Sequence, residues 1–179
     1  SNSKIYYKKY EGIKIIMSYK EDKEFQRCVE FVLSHECRRN KDGTLDDGYT
    51  NDPNDPGGET KYGISKRAYP KLDIKNLSLS DALNLYYSDY WYLARSLEFP
   101  LNVCVFDCSV NQGTKTARNF LHACGKDWKL FIHQREQHYL ALLAGKFRNN
   151  PDREKFRKWW FKRLGNLRKF IDIELLKKV

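Results

Sequence analysis

The first clear pattern along the chain is a helical stripe of apolar residues. Between residues 21 and 36 the apolar positions are spaced three and four apart, at Phe25, Cys28, Val29, Val32 and Leu33. This spacing places them on one face of an α-helix, which is predicted to cover about 21–36. The segment closes with a glutamate, Glu36, which follows Val32 by four residues. Its side chain is therefore expected to project from the same face as the apolar stripe.

A polar stretch without helical period follows, over about 37–65. It includes the sequence GYTNDPNDPGGETKYGIS at 48–65, in which two Asp-Pro pairs and one Gly-Gly pair interrupt regular structure. Six acidic residues and no basic residue lie between Asp42 and Glu59. We expect one long polar loop here, with room for a short hairpin.

Helical patterns return at Leu79 and continue through the rest of the sequence. Ser78 is expected to cap the next helix, with Asp81 in capping-box position, and this helix is expected to run through the aromatic cluster at 86–92. Further helices are predicted from Pro100 to near Gly113, from Thr114 or Thr116 to Gly125, over 127–147 and over 151–176. The predicted fold is mainly α, a helical bundle with one long polar loop or small hairpin between helices 1 and 2.

Charge and cysteine content narrow the function classes. The 179 residues are enough for one domain with a core, and they carry 33 basic against 23 acidic side chains, a net charge of +10. This charge predicts an anionic partner, such as nucleic acid, an acidic membrane or a cell-wall polymer. The sequence contains no zinc-finger, RRM or KH signature that would indicate nucleic acid as the partner. The five cysteines show no metal-ligand spacing, and we expect buried free thiols.

The end of the first helix and the polar loop together indicate acid–base chemistry. Apolar surroundings and the negative end of the helix dipole would both disfavour the ionised form of Glu36, and a carboxyl that stays protonated can act as a general acid. The turns in the loop can direct Asp55 and Thr60 toward the helix end, where a carboxylate and a hydroxyl can hold a water molecule. A frayed surface glutamate and a solvated Asx-turn loop are the alternatives.

A calcium loop is a further alternative for the acidic stretch. Asp42, Thr44 and Asp46 alternate as in an EF-hand. However, Asp47 occupies the position of the EF-hand glycine, and Pro53 stands where the bidentate glutamate is expected. We therefore expect no metal and no cofactor.

The motifs resemble those of the family 108 glycoside hydrolases, which are lysozyme-like N-acetylmuramidases found as phage endolysins and related bacterial proteins. That family has an apolar helix ending in Glu-Gly-Gly-Tyr, followed by Asn-Asp-Pro-x-Asp-x-Gly-Gly-x-Thr-x-x-Gly-Ile. The matching parts of this sequence are His35-Glu36, then 48–65, Tyr90-Trp91, and Phe106-Asp107-x-x-Val110-Asn111-x-Gly113. The segment from Arg135 and Tyr139 to Trp160-x-x-Arg163 resembles the family's C-terminal helical peptidoglycan-binding part. The likeness covers about residues 22–170.

The sequence departs from the family pattern directly after Glu36. The family glutamate is followed at once by Gly-Gly-Tyr, whereas residues 37–47 intervene here. Glu36 can remain the acid with an inserted loop after it, or Asp46, which keeps the family's distance to Asp55, can replace it. We favour Glu36 because it ends the amphipathic helix, whereas Asp46 lies in a solvated acidic loop.

The resemblance implies a lysozyme-like α+β version of the mainly α fold. Together with the residues at the N-terminus, it predicts three regions. Residues 1–20 would be an N-terminal extension that is partly a cloning remnant, 21–125 a catalytic region, and 126–179 a C-terminal helical region packed on it that can bind peptidoglycan. Tyr49 and Tyr62 are expected to line a sugar-binding cleft. Asp107 and Asn111, four apart on one helix, are expected either to reach sugar hydroxyl or N-acetyl groups or to form a buried hydrogen-bonded pair between helices.

The expected activity is hydrolysis of the β-1,4 bond between N-acetylmuramic acid and N-acetylglucosamine, with Glu36 as general acid and Asp55 and Thr60 positioning water. The resemblance favours inversion at the sugar carbon. The partners expected are peptidoglycan glycan strands, with no nucleic acid, no stable membrane insertion and a monomeric protein. No signal peptide is visible, so the protein is expected to be made in the cytoplasm and to act on the wall after membrane permeabilisation or export. The alternative is a non-catalytic wall-binding module with a degenerate site.

Overall fold

The computed structural model describes residues 18–37, 40–51 and 58–177. In chain order, this part contains α1 (Lys23–Glu36), the hairpin of β1 (Thr60–Lys61) and β2 (Ile64–Ser65), α2 (Leu79–Asp89), α3 (Leu101–Gln112), α4 (Thr114–Cys124), α5 (Trp128–Ala144) and α6 (Arg153–Leu176). The strands are antiparallel, with Thr60 opposite Ser65 and Lys61 opposite Ile64. The predicted mainly α fold with a small hairpin between helices 1 and 2 is confirmed.

Side-chain caps fix where several helices begin. The carboxylate of Asp22 accepts a hydrogen bond from the backbone N–H of Phe25 at the start of α1. Ser78 and Asp81 form the predicted capping box at the start of α2, each accepting from the other's backbone N–H. Such caps satisfy backbone donors that have no partner within the helix, and each stabilises its helix by about 1 kcal/mol.

Two helices end earlier than the sequence pattern predicted. The helix through the aromatic cluster stops at Asp89, and a separate 3-10 turn, Trp91–Leu93, follows. This tighter turn carries Trp91 into the core, where it is 1% exposed and its indole N–H donates to Asp22 Oδ2 at 2.8 Å. The predicted helix over 127–147 ends at Ala144, immediately before Gly145.

The central element is α3, which is buried from Leu101 to Ser109 and packs against α1, α4 and α5. Phe106 joins it to the aromatic core through ring contacts with Phe25 and Trp91. The five cysteines are free and buried, as predicted. One ionisable carboxylate, Asp107, lies inside this apolar helix, and a buried charge of this kind requires partners.

Candidate active site

A tight hairpin turn rests directly on Glu36, the last residue of α1. Tyr62 and Gly63 connect β1 to β2 with φ values of 51° and 75°, the positive values that a two-residue type I′ turn requires. A Cβ atom at Gly63 would lie 2.9 Å from Cβ of Glu36 and 2.5 Å from the hydroxyl of Tyr86. Only glycine allows this approach, so the polar loop is held against the end of the helix.

A buried tyrosine anchors the same turn from below. The hydroxyl of Tyr86 donates to the backbone carbonyl of Tyr62 at 2.9 Å, and its ring is 1% exposed. Burial has the largest effect on the pKa of Tyr86 and the nearby charge of Glu36 the next largest, and together they raise this pKa well above its usual value. The phenol therefore remains a hydrogen-bond donor and fixes the turn relative to the helix.

The loop that precedes the hairpin also returns to the end of α1. Thr50 and Thr60 exchange two backbone hydrogen bonds of 2.9 Å, and the N–H of Tyr62 donates to the carbonyl of Asp47 at 2.6 Å. Gly48 lies beside the backbone oxygen of Glu36, which would be 3.8 Å from a Cβ at this position. The chain is therefore back beside Glu36 where the inserted residues end, and the insertion does not separate Glu36 from the hairpin.

The other loop residues considered for the site differ in exposure and in hydrogen-bond partners. Thr60 is half-buried on β1, and its hydroxyl donates to the carbonyl of Gly58 at 3.2 Å. Tyr49 is 37% exposed and donates to Glu59 Oε1 at 2.8 Å, a hydrogen bond that raises the pKa of this phenol. Asp55 lies outside the described residues. Asp46 closes a turn by accepting from the N–H of Gly48 at 2.9 Å.

The carboxylate of Glu36 faces a cation, whereas the sequence argument placed it among apolar side chains. Arg163, from the middle of α6, donates through Nη1 to Glu36 Oε1 at 2.8 Å, and the two side chains are 9% and 22% exposed. The apolar stripe of α1 does continue to Leu33, which is buried. The expectation was wrong at the carboxyl group because α6 packs across the end of α1 and brings in Arg163, which lies 127 positions later in the chain than Glu36.

Arg163 belongs to a chain of charges that runs into the core, and we call Glu36, Arg163, Asp107 and Arg135 the ion chain. Arg163 donates to Asp107 Oδ1 from Nε at 3.0 Å and from Nη2 at 2.8 Å. Arg135, fully buried on α5, donates to Asp107 Oδ2 at 2.8 Å and to Gln112 Oε1 at 2.8 Å. Two negative and two positive groups alternate, so each buried charge has an opposite neighbour.

The electrostatics of Asp107 follow from this arrangement. Burial alone would raise the pKa of its carboxyl group, but Arg163 and Arg135 outweigh that effect and lower the pKa to about 2. In return, Asp107 holds the pKa of each arginine above its usual value despite burial. The group at the centre of the ion chain is therefore a permanent carboxylate that fixes both arginines.

The two interpretations given for Asp107 and Asn111 can be compared with their contacts. Asp107 is 0% exposed, and both of its oxygens are bonded to arginines from other helices, which are the contacts of a buried link between helices. Asn111 is exposed at the end of α3 and accepts a hydrogen bond from the hydroxyl of Tyr139. Asn111 also borders a groove of about 520 Å³ that Arg163 lines.

Sequence reasoning missed the roles of Arg163 and Arg135, which it noted only as parts of the resemblance. A usable signal was present: both arginines occupy core-facing positions of amphipathic helices, beside Leu164 and Leu167 in α6 and four residues before Tyr139 in α5. A charge at such a position needs a buried partner of opposite sign. The pattern does not reveal which acid that partner is.

The residues of the alternative calcium loop form hydrogen bonds within turns. Asp42 accepts hydrogen bonds from the N–H and the hydroxyl of Thr44, at 2.9 and 2.6 Å. Among residues 18–37, 40–51 and 58–177, no three His, Cys, Asp or Glu side chains are grouped so that they could hold a metal ion. Within the same ranges, no helix combines the length and apolar character needed to cross a membrane.

The fold and the site define a mainly α domain in which a small hairpin packs against a glutamate at the end of a helix. Residues 29–113 match the model of the family Glycosyl hydrolase 108, which confirms the resemblance that the sequence motifs indicated. A solved structure of SagA from Brucella abortus has a TM-score of 0.56 at 22% identity, covering 82% of this chain and 92% of that chain. That likeness concerns the fold. No curated protein matches the sequence.

Proposed function

We propose that the protein hydrolyses the β-1,4 bond between N-acetylmuramic acid and N-acetylglucosamine in peptidoglycan. The observation that carries this proposal is the partly exposed carboxylate of Glu36, held between the hairpin turn and the ion chain. The family match supplies the reaction class, glycoside hydrolysis. The peptidoglycan substrate rests on the loop motif and on the net charge of +10, which favours an anionic polymer.

In this mechanism Glu36 is the general acid. Its Oε1 accepts from Arg163, and its Oε2 has no hydrogen-bond partner in the described part of the chain. A proton carried on Oε2 would pass to the glycosidic oxygen as the bond to the leaving sugar breaks. Arg163 would then stabilise the carboxylate that remains, in a position fixed before the reaction by its bonds to Asp107.

The water that attacks the sugar carbon would be held on the loop side of the cleft by Asp55 and Thr60. The hydroxyl of Thr60 donates to Gly58, so its oxygen lone pairs remain available to accept a hydrogen bond from water. Tyr49 and Tyr62, on the same loop, would line the cleft around the substrate. Asp107 would act as a positioning residue through Arg163, since it has no exposed surface.

The proposal is tested by digesting purified cell walls and identifying the products by mass spectrometry after reduction of new sugar ends. Glu36→Gln is expected to abolish sugar release, because the amide cannot deliver a proton. The matched control is Glu30→Gln, an exposed position on the same helix, which should retain activity. Full activity in Glu36→Gln, or new reducing ends on N-acetylglucosamine alone, would contradict the proposal.

Asp46 is distinguished from Glu36 in the same assay. Asp46→Asn keeps an oxygen that can accept from the N–H of Gly48, so the turn should persist and hydrolysis should continue. Loss of hydrolysis in Asp46→Asn with full activity in Glu36→Gln would transfer the acid role to Asp46. Wall binding without sugar release by the wild type would support the non-catalytic module instead.

A further inference from the structure

The last helix, α6, presents a line of basic and apolar side chains to solvent. These residues are spaced by three, four or seven positions, which places them on one face of the helix. All of them are exposed, and we call this set the lysine stripe: Lys155, Trp159, Lys162, Lys169, Ile173 and Leu176. The opposite face of α6, with Leu164, Leu167 and Ile171, is buried in the core. The lysine stripe is therefore the face of α6 that can meet a partner.

The positive charge of the lysine stripe is not neutralised within the protein. In the part of the chain that the structure describes, no carboxylate forms a salt bridge with Lys155, Lys162 or Lys169, and the two glutamates of α6 pair with basic side chains outside the stripe. Residues 146–179 carry twelve basic and four acidic residues, so most of the net charge of +10 arises here. A surface of this kind is complementary to an anionic partner.

Three apolar side chains are exposed in the same stripe. Trp159 is 54% exposed, Ile173 46% and Leu176 73%. The other three tryptophans of the chain are buried or half-buried, whereas the ring of Trp159 faces solvent with the ammonium group of Lys155 at 4.7 Å from its centre. Contact between apolar surface and water is unfavourable, so apolar side chains repeated on one exposed face indicate a partner that can bury them.

The combination of charge and aliphatic surface distinguishes between anionic partners. A nucleic acid offers phosphates and base faces, which suit lysine and tryptophan, but it has no group that would bury Ile173 and Leu176. A second copy of the chain would bring two positively charged stripes together. An anionic bilayer supplies both kinds of contact, because its head groups attract lysine and its acyl chains accept apolar side chains. Tryptophan also favours the boundary between these two layers.

The geometry of the stripe suits an extended flat surface. Lys155 and Leu176 are 21 positions apart in one uninterrupted helix, which corresponds to about 32 Å along the helix axis. Side chains in a line along one helix face can meet a single plane at the same time. The apolar stems of the lysines can lie along this plane while their ammonium groups reach the phosphates.

We propose that the lysine stripe binds the surface of an anionic phospholipid bilayer. The three lysines contact lipid phosphates, while Trp159, Ile173 and Leu176 enter the boundary between head groups and acyl chains. In this arrangement α6 lies parallel to the bilayer and keeps its opposite face packed in the core, so the protein is bound to the membrane without crossing it. The interaction does not depend on the proposed hydrolysis, because it makes no use of Glu36.

The test measures binding to sucrose-loaded vesicles by co-sedimentation at low salt. Vesicles of equal parts phosphatidylglycerol and phosphatidylcholine are compared with vesicles of phosphatidylcholine alone. The wild type should bind the anionic vesicles at least about tenfold more tightly. Replacing Lys155, Lys162 and Lys169 together by glutamine should weaken this binding by about thirtyfold or more, since each lysine near an anionic surface contributes about fivefold.

The matched control removes the same charge from exposed lysines outside α6. Replacing Lys71, Lys115 and Lys126 together by glutamine gives the same net charge, and it should weaken binding by less than about threefold because screening limits the reach of distant charges. Equal losses in the two triple variants would overturn the proposal, since binding would then follow the total charge. Equal binding of the wild type to anionic and neutral vesicles would also overturn it.

A second readout reports whether the apolar side chains enter the bilayer. Phosphatidylglycerol brominated on its acyl chains quenches the fluorescence of a tryptophan that lies within the bilayer. The bound wild type should be quenched, and Trp159→Phe should lose most of this quenching, because the other tryptophans are not exposed. Absence of quenching in the bound wild type, or undiminished quenching in Trp159→Phe, would contradict the proposed orientation.

Two further comparisons separate this proposal from the alternatives. Binding of duplex DNA that is lost in the triple variant of the stripe, without binding to anionic vesicles, would overturn the proposal and assign the stripe to nucleic acid. Glu36→Gln should bind anionic vesicles like the wild type. Loss of vesicle binding in the stripe variant would therefore support the proposal even if the wild type released no sugar from cell walls.

Discussion

Replacing Asp107 by asparagine should destabilise the protein strongly. The carboxylate accepts bonds from Arg163 on one oxygen and from Arg135 on the other, and it has no exposed surface. An asparagine of the same shape keeps one accepting oxygen and directs an NH₂ group at the second guanidinium. One buried arginine would then lack its counter-charge, which costs about 3–5 kcal/mol when one partner of a buried ion pair is removed. This loss is a large share of the free energy of unfolding of a typical protein, which is about 5–15 kcal/mol.

The same carboxylate gives the wild type a specific dependence on pH. The pKa of Asp107 is lowered from its ordinary 3.8 to about 2, so the folded state holds the ionised form more tightly than the unfolded chain does. The contribution of this ionised carboxylate to the free energy of unfolding, on the order of 2 kcal/mol, is present above pH 4 and is lost as the pH falls toward 2. Asp107→Asn should lack this part of the acid-induced loss.

The measurement is urea unfolding followed by circular dichroism, at pH 7 and at steps down to pH 2. Asp172→Asn is the matched control, since Asp172 is exposed on α6 and its substitution should change the free energy of unfolding by less than about 0.5 kcal/mol. If Asp107→Asn were as stable as Asp172→Asn and retained the wild-type dependence on pH, the ion chain would not exist in solution and its role in holding Glu36 would be refuted.

Three further outcomes follow from the same geometry. Gly63→Ala should lower the free energy of unfolding by at least about 2 kcal/mol and remove most of the activity, because the added Cβ would overlap Tyr86 and Glu36. Gly48→Ala is the control, since Gly48 has a similar positive φ but a Cβ there would lie 3.8 Å from its nearest neighbour, and it should destabilise the protein less. Thermal unfolding of the two variants tests this, and equal losses of stability would contradict it. Tyr86→Phe removes the hydrogen bond to the Tyr62 carbonyl and should lower the free energy of unfolding by about 1 kcal/mol, with lower activity because the hairpin is held less firmly. An unchanged midpoint of urea unfolding would contradict this. If the reaction inverts, proton NMR of fresh digests should show the α-anomer of the new reducing sugar first, and an initial β-anomer would indicate retention.

Much of the fold could be predicted from local patterns. The stripe Phe25 to Leu33 defined α1, and the pair Ser78 and Asp81 marked the start of α2. These signals are local because a helix face and a cap involve residues three or four apart. The end of α2 was misplaced because burial of Trp91 against Asp22, 69 residues earlier, decides where that helix stops.

The candidate site was less predictable because its charges meet across long distances in the chain. The spacing of Glu36 placed it correctly at the end of an apolar stripe, but not beside Arg163, which approaches from α6. The burial of Asp107 in α3 was one of two interpretations, since the position alone does not specify its partners. The glycine-rich motif predicted a shaped loop, and the contact of Gly63 with Glu36 gives a physical reason for one of its glycines.

The central claim, that Glu36 is the general acid, is tested most directly by varying the leaving group. A natural glycan strand needs a proton on the departing oxygen, whereas a muramyl glycoside of dinitrophenol does not. Glu36→Gln is therefore predicted to lose about 10³-fold or more in kcat/KM on glycan strands but to stay within about tenfold of wild type on the dinitrophenyl glycoside. Equal losses on both substrates, or full activity on glycan strands, would contradict the assignment.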